Sequence, residues 1–155
     1  MKKAEIVLFN PQIPQNTGNI GRLCVNTNTK LHLIEPLGFS LEEKYIRRSG
    51  LDYWQHLDLE VHKNWESFKA RANNSSMFFF STKTDNLFWD CPYETGNSTS
   101  PVYLIFGSET SGLTSELYEN YKDKLYTIPM YGKYSRSYNL SNSVAVVLFD
   151  FLRRQ

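Results

Sequence analysis

Three segments of the sequence combine glycine with hydroxyl, amide and charged side chains, and each follows an apolar run. They are residues 10–22 (NPQIPQNTGNIGR), residues 107–113 (GSETSGL), and Pro129-Met130 continued by residues 135–143 (SRSYNLSNS). Glycine lets a backbone approach a ligand closely, and the polar side chains can donate or accept hydrogen bonds. Three such segments at one end of a buried sheet are typical of a composite ligand pocket.

Taken singly, each segment has a simpler explanation. The glycines of the first two segments allow close helix packing or tight turns, and Ser141 or Asn142 in the third is a possible helix cap. Known nucleotide motifs are absent from the sequence. Gly18 and Gly21 do not have the spacing of a dinucleotide fingerprint, and neither a Gly-Lys-Ser/Thr phosphate loop nor a Gly-x-Ser-x-Gly nucleophile elbow occurs. The pattern therefore speaks against NAD, against ATP and against serine-based acyl hydrolysis.

The elements that position these segments alternate between strands and helices. Asn16-Thr17 is expected to cap the first helix, and residues 85–101 are predicted to form a loop. The alternation predicts an α/β domain with a largely parallel sheet, which binds ligands beyond the carboxyl ends of its strands. Strands are predicted at 4–9, 31–34, 58–62, 77–80, 102–106 and 125–128, and helices at about 16–27, 41–49, 65–72, 115–121 and 142–152.

Composition predicts one compact domain over residues 1–155, with 41% hydrophobic and 15% aromatic residues. No apolar run has the length of a membrane span, so we expect a cytoplasmic protein without a membrane partner. Cys24 and Cys91 match no metal-ligand spacing and are expected to be reduced thiols. The histidines are scattered in sequence, so no metal site is predicted. A net charge of +1 leaves any contact with RNA to local basic patches.

The glycine-rich segments carry a resemblance to a known family. Asn16-Thr17-Gly18-Asn19-x-x-Arg22, the run 104–113 (LIFGSETSGL), and Ile128-Pro129-Met130 with residues 135–145 resemble the three motifs of SpoU-type methyltransferases, in order and at the family's separations. This family belongs to the SPOUT superfamily of RNA methyltransferases. Residues 31–39 (LHLIEPLGF) and 47–53 (RRSGLDY) resemble the short subfamily that methylates the wobble ribose of tRNA.

The resemblance implies an α/β-knot fold, in which a mostly parallel sheet is flanked by helices and the C-terminal part forms a deep trefoil knot. It implies S-adenosyl-L-methionine as cofactor and transfer of its methyl group to the 2′-hydroxyl of nucleotide 34 of tRNA, C or modified U. Two alternatives stay open: the same reaction at another tRNA or rRNA site, and an RNA-binding protein without catalysis. Arg22 and a complete cofactor pocket speak against the second alternative.

The resemblance also implies roles for particular residues. Arg22 is the principal catalytic residue, and because a guanidinium keeps its proton in proteins it is a poor base, so we expect it to bind RNA phosphate and polarise the hydroxyl. Glu109 is expected to pair with Arg22, and Gly107 to bring its backbone close to the cofactor. The full set is Arg22, Glu109, Ser137 and Asn139 for catalysis, Phe80, Gly107, Ile128, Ser137 and Leu140 for the cofactor, and Asn16, Arg47, Arg48, Lys83 and Arg136 for RNA.

A chain of this length has no separate RNA-binding extension, so the resemblance implies a groove formed by a homodimer. The last helix is expected to contribute an apolar stripe to the dimer, the alternative being that this stripe faces its own core. Gly21 and Tyr138 stand where apolar residues are expected in close relatives. The stripe consists of Val144, Val147, Leu148 and Phe151.

Overall fold

The structure, a computed structural model, describes residues 2–42, 52–73, 75–93 and 99–155. Within these residues six strands form one sheet in the order β3-β2-β1-β5-β4-β6, and every neighbouring pair is parallel. The strands are β1 (Ala4–Phe9), β2 (Lys30–Ile34), β3 (Leu59–His62), β4 (Ser76–Phe80), β5 (Val102–Phe106) and β6 (Leu125–Tyr126). The α-helices are α1 (Pro14–Thr27), α2 (Trp65–Ala72), α3 (Ser115–Asn120) and α4 (Leu140–Arg153), with 3-10 helices at Asp52–His56, Phe88–Asp90 and Lys122–Lys124.

The predicted parallel α/β sheet is confirmed, but some boundaries were wrong. α1 begins at Pro14, two residues before the expected cap at Asn16, because proline suits the first turn, where its missing N–H is not needed. β6 ends at Tyr126 rather than Ile128, and α4 begins at Leu140 rather than Asn142. The 3-10 helix at Phe88–Asp90 lies in the predicted loop. The helix predicted at 41–49 lies mostly outside the described residues.

The strand order reverses between β1 and β5. From β1 the chain proceeds outward through β2 to β3 at one edge, whereas β5, β4 and β6 lie on the other side of β1. In a parallel sheet such a reversal leaves a crevice at the carboxyl ends of the two central strands, because their connections leave in opposite directions. The segments that follow β1 and β5 are two of the three polar segments identified in the sequence.

Helices cover both faces of the sheet. α1 and α4 pack on one face against residues such as Ile6 and Leu104, and α2 and α3 pack on the other against residues such as Ile105. The apolar stripe of α4 is fully buried in this core, with 0% exposure at each position, so the expectation that it contacts a partner was wrong. The apolar stripe covers one face of the central strands and so shields them from water. It consists of Val144, Val147, Leu148 and Phe151.

Both cysteines are free and buried, as predicted. Burial raises the pKa of the Cys24 thiol to about 12 and raises that of the Cys91 thiol still further from its usual value. In the described part of the chain, no helix has the length and apolar character needed to cross a membrane.

Candidate active site

A cavity of about 530 Å³ lies at the carboxyl ends of the central strands. Its wall is formed by the segments that follow β1, β4, β5 and β6 and by the first turn of α4. The volume falls in the range typical of sites for small molecules and cofactors. Most of the residues predicted for the site line it: Asn16, Phe80, Lys83, Gly107, Glu109, Ile128, Ser137, Asn139 and Leu140.

A hydrogen-bond network centred on Glu109 joins the three polar segments. The Glu109 carboxylate accepts hydrogen bonds from the backbone N–H groups of Gln12 at 2.9 Å and Ile13 at 2.8 Å. It also accepts one from Nδ2 of Asn16 at 3.2 Å. A carboxylate at this position stabilises the start of α1, because it satisfies free N–H groups and faces the positive end of the helix dipole. Glu109 therefore supplies the cap that the sequence assigned to Asn16 and Thr17.

Asn139 continues this network to α4. Its Nδ2 donates to Oδ1 of Asn16 at 2.9 Å, and its Oδ1 accepts from the backbone N–H of Ser141 at 2.9 Å and from the Ser141 hydroxyl at 2.6 Å. Asn139 is thus the N-cap of α4, where Ser141 or Asn142 was expected. One asparagine side chain fixes both the start of α4 and its distance from α1.

Gly107 and Gly112 bring the second segment back on itself. The backbones of Ser108 and Gly112 exchange two hydrogen bonds of 3.0 Å, and Gly112 has φ +64°, which favours glycine. A Cβ on Gly107 would lie 2.5 Å from the carbonyl carbon of Gly112. The reason expected for Gly107, close approach to a ligand, is therefore incomplete, because the backbone of Gly112 already fills that space.

Tyr118 organises the side of the cavity nearest β4, a role that no sequence motif indicates. Its phenol oxygen accepts hydrogen bonds from the backbone N–H of Leu113 at 3.1 Å and from the Ser81 hydroxyl at 3.2 Å. The Lys83 ammonium lies 4.6 Å from the centre of the Tyr118 ring, a cation–π contact. Tyr118 thus holds the segments after β4 and β5 together and places an exposed lysine at the cavity rim.

Phe80, Ile128 and Leu140, all predicted to contact the cofactor, contribute apolar side chains to the cavity wall. Phe80 stacks on Phe106 with 5.1 Å between ring centres, which fixes the ring at the end of β4. The phenol of Tyr138 donates a hydrogen bond to the backbone oxygen of Pro129 at 2.9 Å. A purely apolar residue at position 138 could not make this bond across the third segment.

Arg22 is exposed on α1 and is not among the described residues that line the cavity. The prediction that Arg22 pairs with Glu109 was wrong, because the Glu109 carboxylate accepts hydrogen bonds from the backbone at the start of α1 and from Asn16. Arg22 instead lies over Tyr53, with its guanidinium carbon 5.7 Å from the ring centre, and the Tyr53 phenol donates to the backbone oxygen of Gly18 at 2.7 Å. Burial raises the pKa of Tyr53, although the charge of Arg22 acts in the opposite direction.

Gly21 explains how Tyr53 reaches α1. A Cβ on Gly21 would lie 2.8 Å from Cζ3 of Trp54 and 3.3 Å from Cδ2 of Leu57. The absence of a side chain at position 21 therefore makes room for the segment Asp52–His56 to pack on the helix. This is the physical reason for a glycine where an apolar residue was expected.

The basic residues predicted to bind RNA are distributed differently. Lys83 is exposed at the cavity rim, and Arg136 is exposed in the segment before α4 but does not line the cavity. Arg47 and Arg48 lie outside the described residues. Ser137, expected to serve both cofactor and catalysis, lines the cavity from the same exposed segment as Arg136.

Comparison with known proteins places this architecture in a family. Two relatives named tRNA (cytidine(34)-2'-O)-methyltransferase are similar over nearly the whole chain. The protein of Burkholderia cenocepacia is 43% identical over 152 residues (96% of this chain, 94% of its own). That of Methylovorus glucosotrophus is 42% identical over 151 residues (97% and 94%).

A solved structure described as "Structural insights into the 2-OH methylation of C/U34 on tRNA" superposes with a TM-score of 0.88 at 34% identity, covering 99% of this chain and 96% of its own. The family model described as "SpoU rRNA Methylase family" matches residues 3–149, so the match includes the first and last strands of the sheet and all three polar segments. The chain belongs to the SpoU methylase family.

Proposed function

We propose that this protein transfers a methyl group from S-adenosyl-L-methionine to the ribose 2′-hydroxyl of the wobble nucleotide of tRNA, C34 or modified U34. The observation that carries the proposal is the similarity, at more than 40% identity over nearly full length, to relatives named for this reaction. The whole of residues 1–155 is proposed to act as one methyltransferase domain in the cytoplasm.

The cavity fits this cofactor in size and chemistry. Its volume of about 530 Å³ and its apolar wall suit a nucleoside, and hydroxyl and amide groups surround the wall. When bound, S-adenosylmethionine supplies a methyl group activated by a positively charged sulfur. Phe80, Ile128 and Leu140 would contact the flat, apolar part of the cofactor, whereas Gly107 and Ser137 offer backbone and hydroxyl groups to its polar part.

When bound, the cofactor would supply the methyl group to the ribose oxygen and leave as S-adenosylhomocysteine, and the hydroxyl proton would pass to water. A ribose hydroxyl is a weak nucleophile at neutral pH, so it must be aligned and polarised. Alignment alone can lower the barrier by roughly 7 to 11 kcal/mol. We assign alignment to the network of Glu109, Asn16 and Asn139, and we assign polarisation of the hydroxyl and contact with RNA phosphate to Arg22.

The position of Arg22 supports a shared active site. Because Arg22 lies outside the cavity lining of its own chain, a homodimer offers a route by which it reaches a ribose bound at the cavity of the second copy. The outward face of α4 carries exposed apolar side chains suited to such a contact, Val146 at 44% and Phe149 at 55% exposure. Pairing two copies would also combine basic residues such as Lys83 and Arg136 into one groove, which a net charge of +1 does not otherwise provide.

Complementation between two inactive variants tests the shared site. Arg22→Ala and Asn139→Ala chains, each inactive alone, are mixed after mild dissociation and reassociation. Random pairing makes about half of the dimers mixed, each with one complete site of two, so about a quarter of wild-type activity should return. Activity that stays at the sum of the two variants contradicts action across the dimer. A Phe149→Glu chain that still sediments as a dimer contradicts the proposed contact.

The trefoil knot is also proposed, for the segment between β6 and the end of α4. A knotted chain pulled from its two ends cannot reach its full contour length, because the tightened knot retains some residues. Single-molecule extension to the full length expected for 155 residues would contradict the knot.

Nucleoside mass spectrometry decides the substrate. tRNA lacking 2′-O-methylation is incubated with the protein and isotopically labelled S-adenosylmethionine, and label is expected in the ribose of nucleotide 34. Label only at another tRNA position, or only in rRNA, would replace the wobble assignment. Calorimetry with S-adenosylhomocysteine is run in parallel, because binding of the cofactor product without methylation of any RNA would favour a non-catalytic RNA-binding protein.

A further inference from the structure

Two buried histidines meet on the sheet face covered by α2, away from the cavity. β2 and β3 are parallel, with His32 opposite Glu60 and Ile34 opposite His62. Nδ1 of His32 lies 2.9 Å from Nε2 of His62, and the two residues are 0% and 6% exposed. No sequence motif indicates this pair, because 30 positions separate the two histidines and only the strand register brings them together.

A carboxylate completes the group. Oε2 of Glu60 lies 3.9 Å from Nδ1 of His32, and Oε1 of Glu60 lies 3.9 Å from Nε2 of His62. Two imidazole nitrogens and a carboxylate oxygen are thus within 4.8 Å of one another. Two imidazoles and one carboxylate form a ligand set that binds zinc in proteins.

The surroundings of His32 match those of a metal ligand. Its second nitrogen, Nε2, lies 2.6 Å from Oε2 of Glu5 and donates to it, so the lone pair of the neutral ring is on Nδ1, which faces Nε2 of His62 at 2.9 Å. A carboxylate behind a coordinating histidine is the usual second layer of a zinc site. The rings of Phe68 and Tyr103 stand edge-on to His32 at 5.6 Å and 5.5 Å between centres and fix its orientation.

We propose that His32, His62 and Glu60 form a binding site for a divalent transition-metal ion of the zinc class. Bonds of ~2.0–2.1 Å in a tetrahedral arrangement place ligand atoms about 3.3 Å apart. The two nitrogens therefore need to separate by about 0.4 Å from their 2.9 Å distance, and one Glu60 oxygen, which lies within 4.8 Å of both nitrogens, needs to approach them by about 0.6 to 1.5 Å. Small rotations of three side chains achieve this, and His62 carries its remaining proton on Nδ1 in the bound form.

The local charges also accommodate a cation. Glu60 forms ion pairs with Lys30 at 3.0 Å and Arg71 at 3.4 Å, and Asp58 lies 3.6 Å from Lys30. If both imidazoles are neutral, the group carries one net negative charge, because the three carboxylates of Glu5, Asp58 and Glu60 outnumber the two cations by one. A divalent ion would compete with Lys30 and Arg71 for Glu60, which is 30% exposed and offers an entry from solvent.

This site is independent of methyl transfer. Its residues lie on β1, β2 and β3, and the described residues that line the cavity include none of them. A metal there would join β2 and β3 at one edge of the sheet, so its effect would be on stability. Its binding is therefore measured directly, without an assay of catalysis.

Cobalt titration of the tag-free, EDTA-treated protein tests the site. Co²⁺ bound by two imidazoles and a carboxylate in a tetrahedral site absorbs strongly in the visible range, and one ion per chain is expected, displaced by Zn²⁺. Zn²⁺ should raise the midpoint of thermal unfolding. The variants His62→Gln and Glu60→Gln should lower the affinity at least about tenfold, and Glu5→Gln about 10- to 100-fold.

His56→Gln is the matched control, because His56 is an exposed histidine outside the cluster and its loss should leave the affinity unchanged. Circular dichroism verifies that each variant is folded, and the partly exposed Glu60 gives a second test if His62→Gln does not fold. Absence of the cobalt band in folded wild-type protein overturns the proposal. So does a cobalt affinity that is unchanged in Glu60→Gln or lowered in His56→Gln.

Discussion

The amide group of Asn139 donates a hydrogen bond to the side-chain oxygen of Asn16 at 2.9 Å, across 123 positions of sequence. Asn16 in turn donates to Glu109, so one continuous set of side-chain hydrogen bonds connects the starts of α1 and α4 with the segment after β5. Because Glu109 and Asn139 also accept hydrogen bonds from backbone N–H groups, the three segments of the cavity are positioned together rather than separately.

Replacing Asn139 by alanine should affect both the helix and the cavity. Loss of the N-cap is expected to lower the free energy of unfolding by about 1 kcal/mol, and loss of the bond to Asn16 should weaken binding of S-adenosylhomocysteine. Denaturant unfolding and calorimetry measure the two effects. Asn142→Ala, an exposed asparagine in the first turn of the same helix, is the control and should change neither.

Replacing Glu109 by alanine leaves two backbone N–H groups and one amide without their acceptor. The expected loss of stability is about 1 to 3 kcal/mol, with lower cofactor affinity, because the start of α1 is no longer held against the segment after β5. Glu109→Gln retains one acceptor oxygen and should lie between alanine and wild type. Glu119→Ala, at an exposed position on α3, serves as the comparison; an equal loss there would contradict the role given to Glu109.

Replacing Arg22 by alanine should lower the turnover number by about 100- to 1,000-fold, the usual effect of losing one group that stabilises charge in the transition state. Stability should stay within about 0.5 kcal/mol of wild type, because the side chain is exposed. Tyr53→Phe removes the bond to Gly18 but keeps the ring, so it should lower turnover less than Arg22→Ala does. Single-turnover methylation of tRNA measures both, and full activity of Arg22→Ala would contradict its assignment.

Gly21→Ala tests the packing of Trp54 on α1. Alanine is favoured over glycine within a helix by about 1 kcal/mol, so an unobstructed site would gain stability. Here the new Cβ meets Trp54 at 2.8 Å, and overpacking typically costs about 1 to 3 kcal/mol, so a net loss is expected. Gly132→Ala, where a Cβ meets nothing within 4 Å, is the matched control. A stabilised Gly21→Ala protein would show that Trp54 moves freely.

The thiols should be unreactive in the native state. Burial raises the pKa of Cys24 to about 12, so at pH 8 almost no thiolate forms, and a disulfide reagent should react only after urea unfolds the chain. The free energy of unfolding should depend on pH, because unfolded thiols release their protons near pH 8.5, whereas the buried native thiols retain them. The contribution of these thiols to stability is complete below about pH 8.5 and declines as the pH rises. Rapid native labelling would contradict this.

The sequence predicted the sheet because apolar runs such as Val102–Phe106, and Ala4–Phe9 apart from Glu5, are buried in a parallel sheet and need no alternation. It also predicted which segments meet, because strand ends share one edge. The sequence did not predict which side chains pair with one another. Glu109 was expected to pair with Arg22, but α1 begins two residues earlier than expected, and the backbone at its start donates hydrogen bonds to the Glu109 carboxylate.

The histidine pair was missed for a similar reason. His32 and His62 become neighbours only through the register of β2 and β3, and no local spacing encodes that register. The orientation of the last helix was also uncertain from its pattern, because an apolar stripe looks the same whether it faces its own core or a partner. Fold class and pocket location were thus readable from periodicity and motif, whereas contacts between distant side chains required coordinates.

Burial of the inner face of α4 within its own chain has a consequence for assembly. Because Val144, Val147, Leu148 and Phe151 complete the core of a single copy, each chain can reach its native structure before it meets another. Folding would then be independent of protein concentration, while a site shared between two copies would form only as they associate. Dilution would switch such an enzyme off without unfolding it, so its specific activity, and not its melting temperature, would report how many copies are paired.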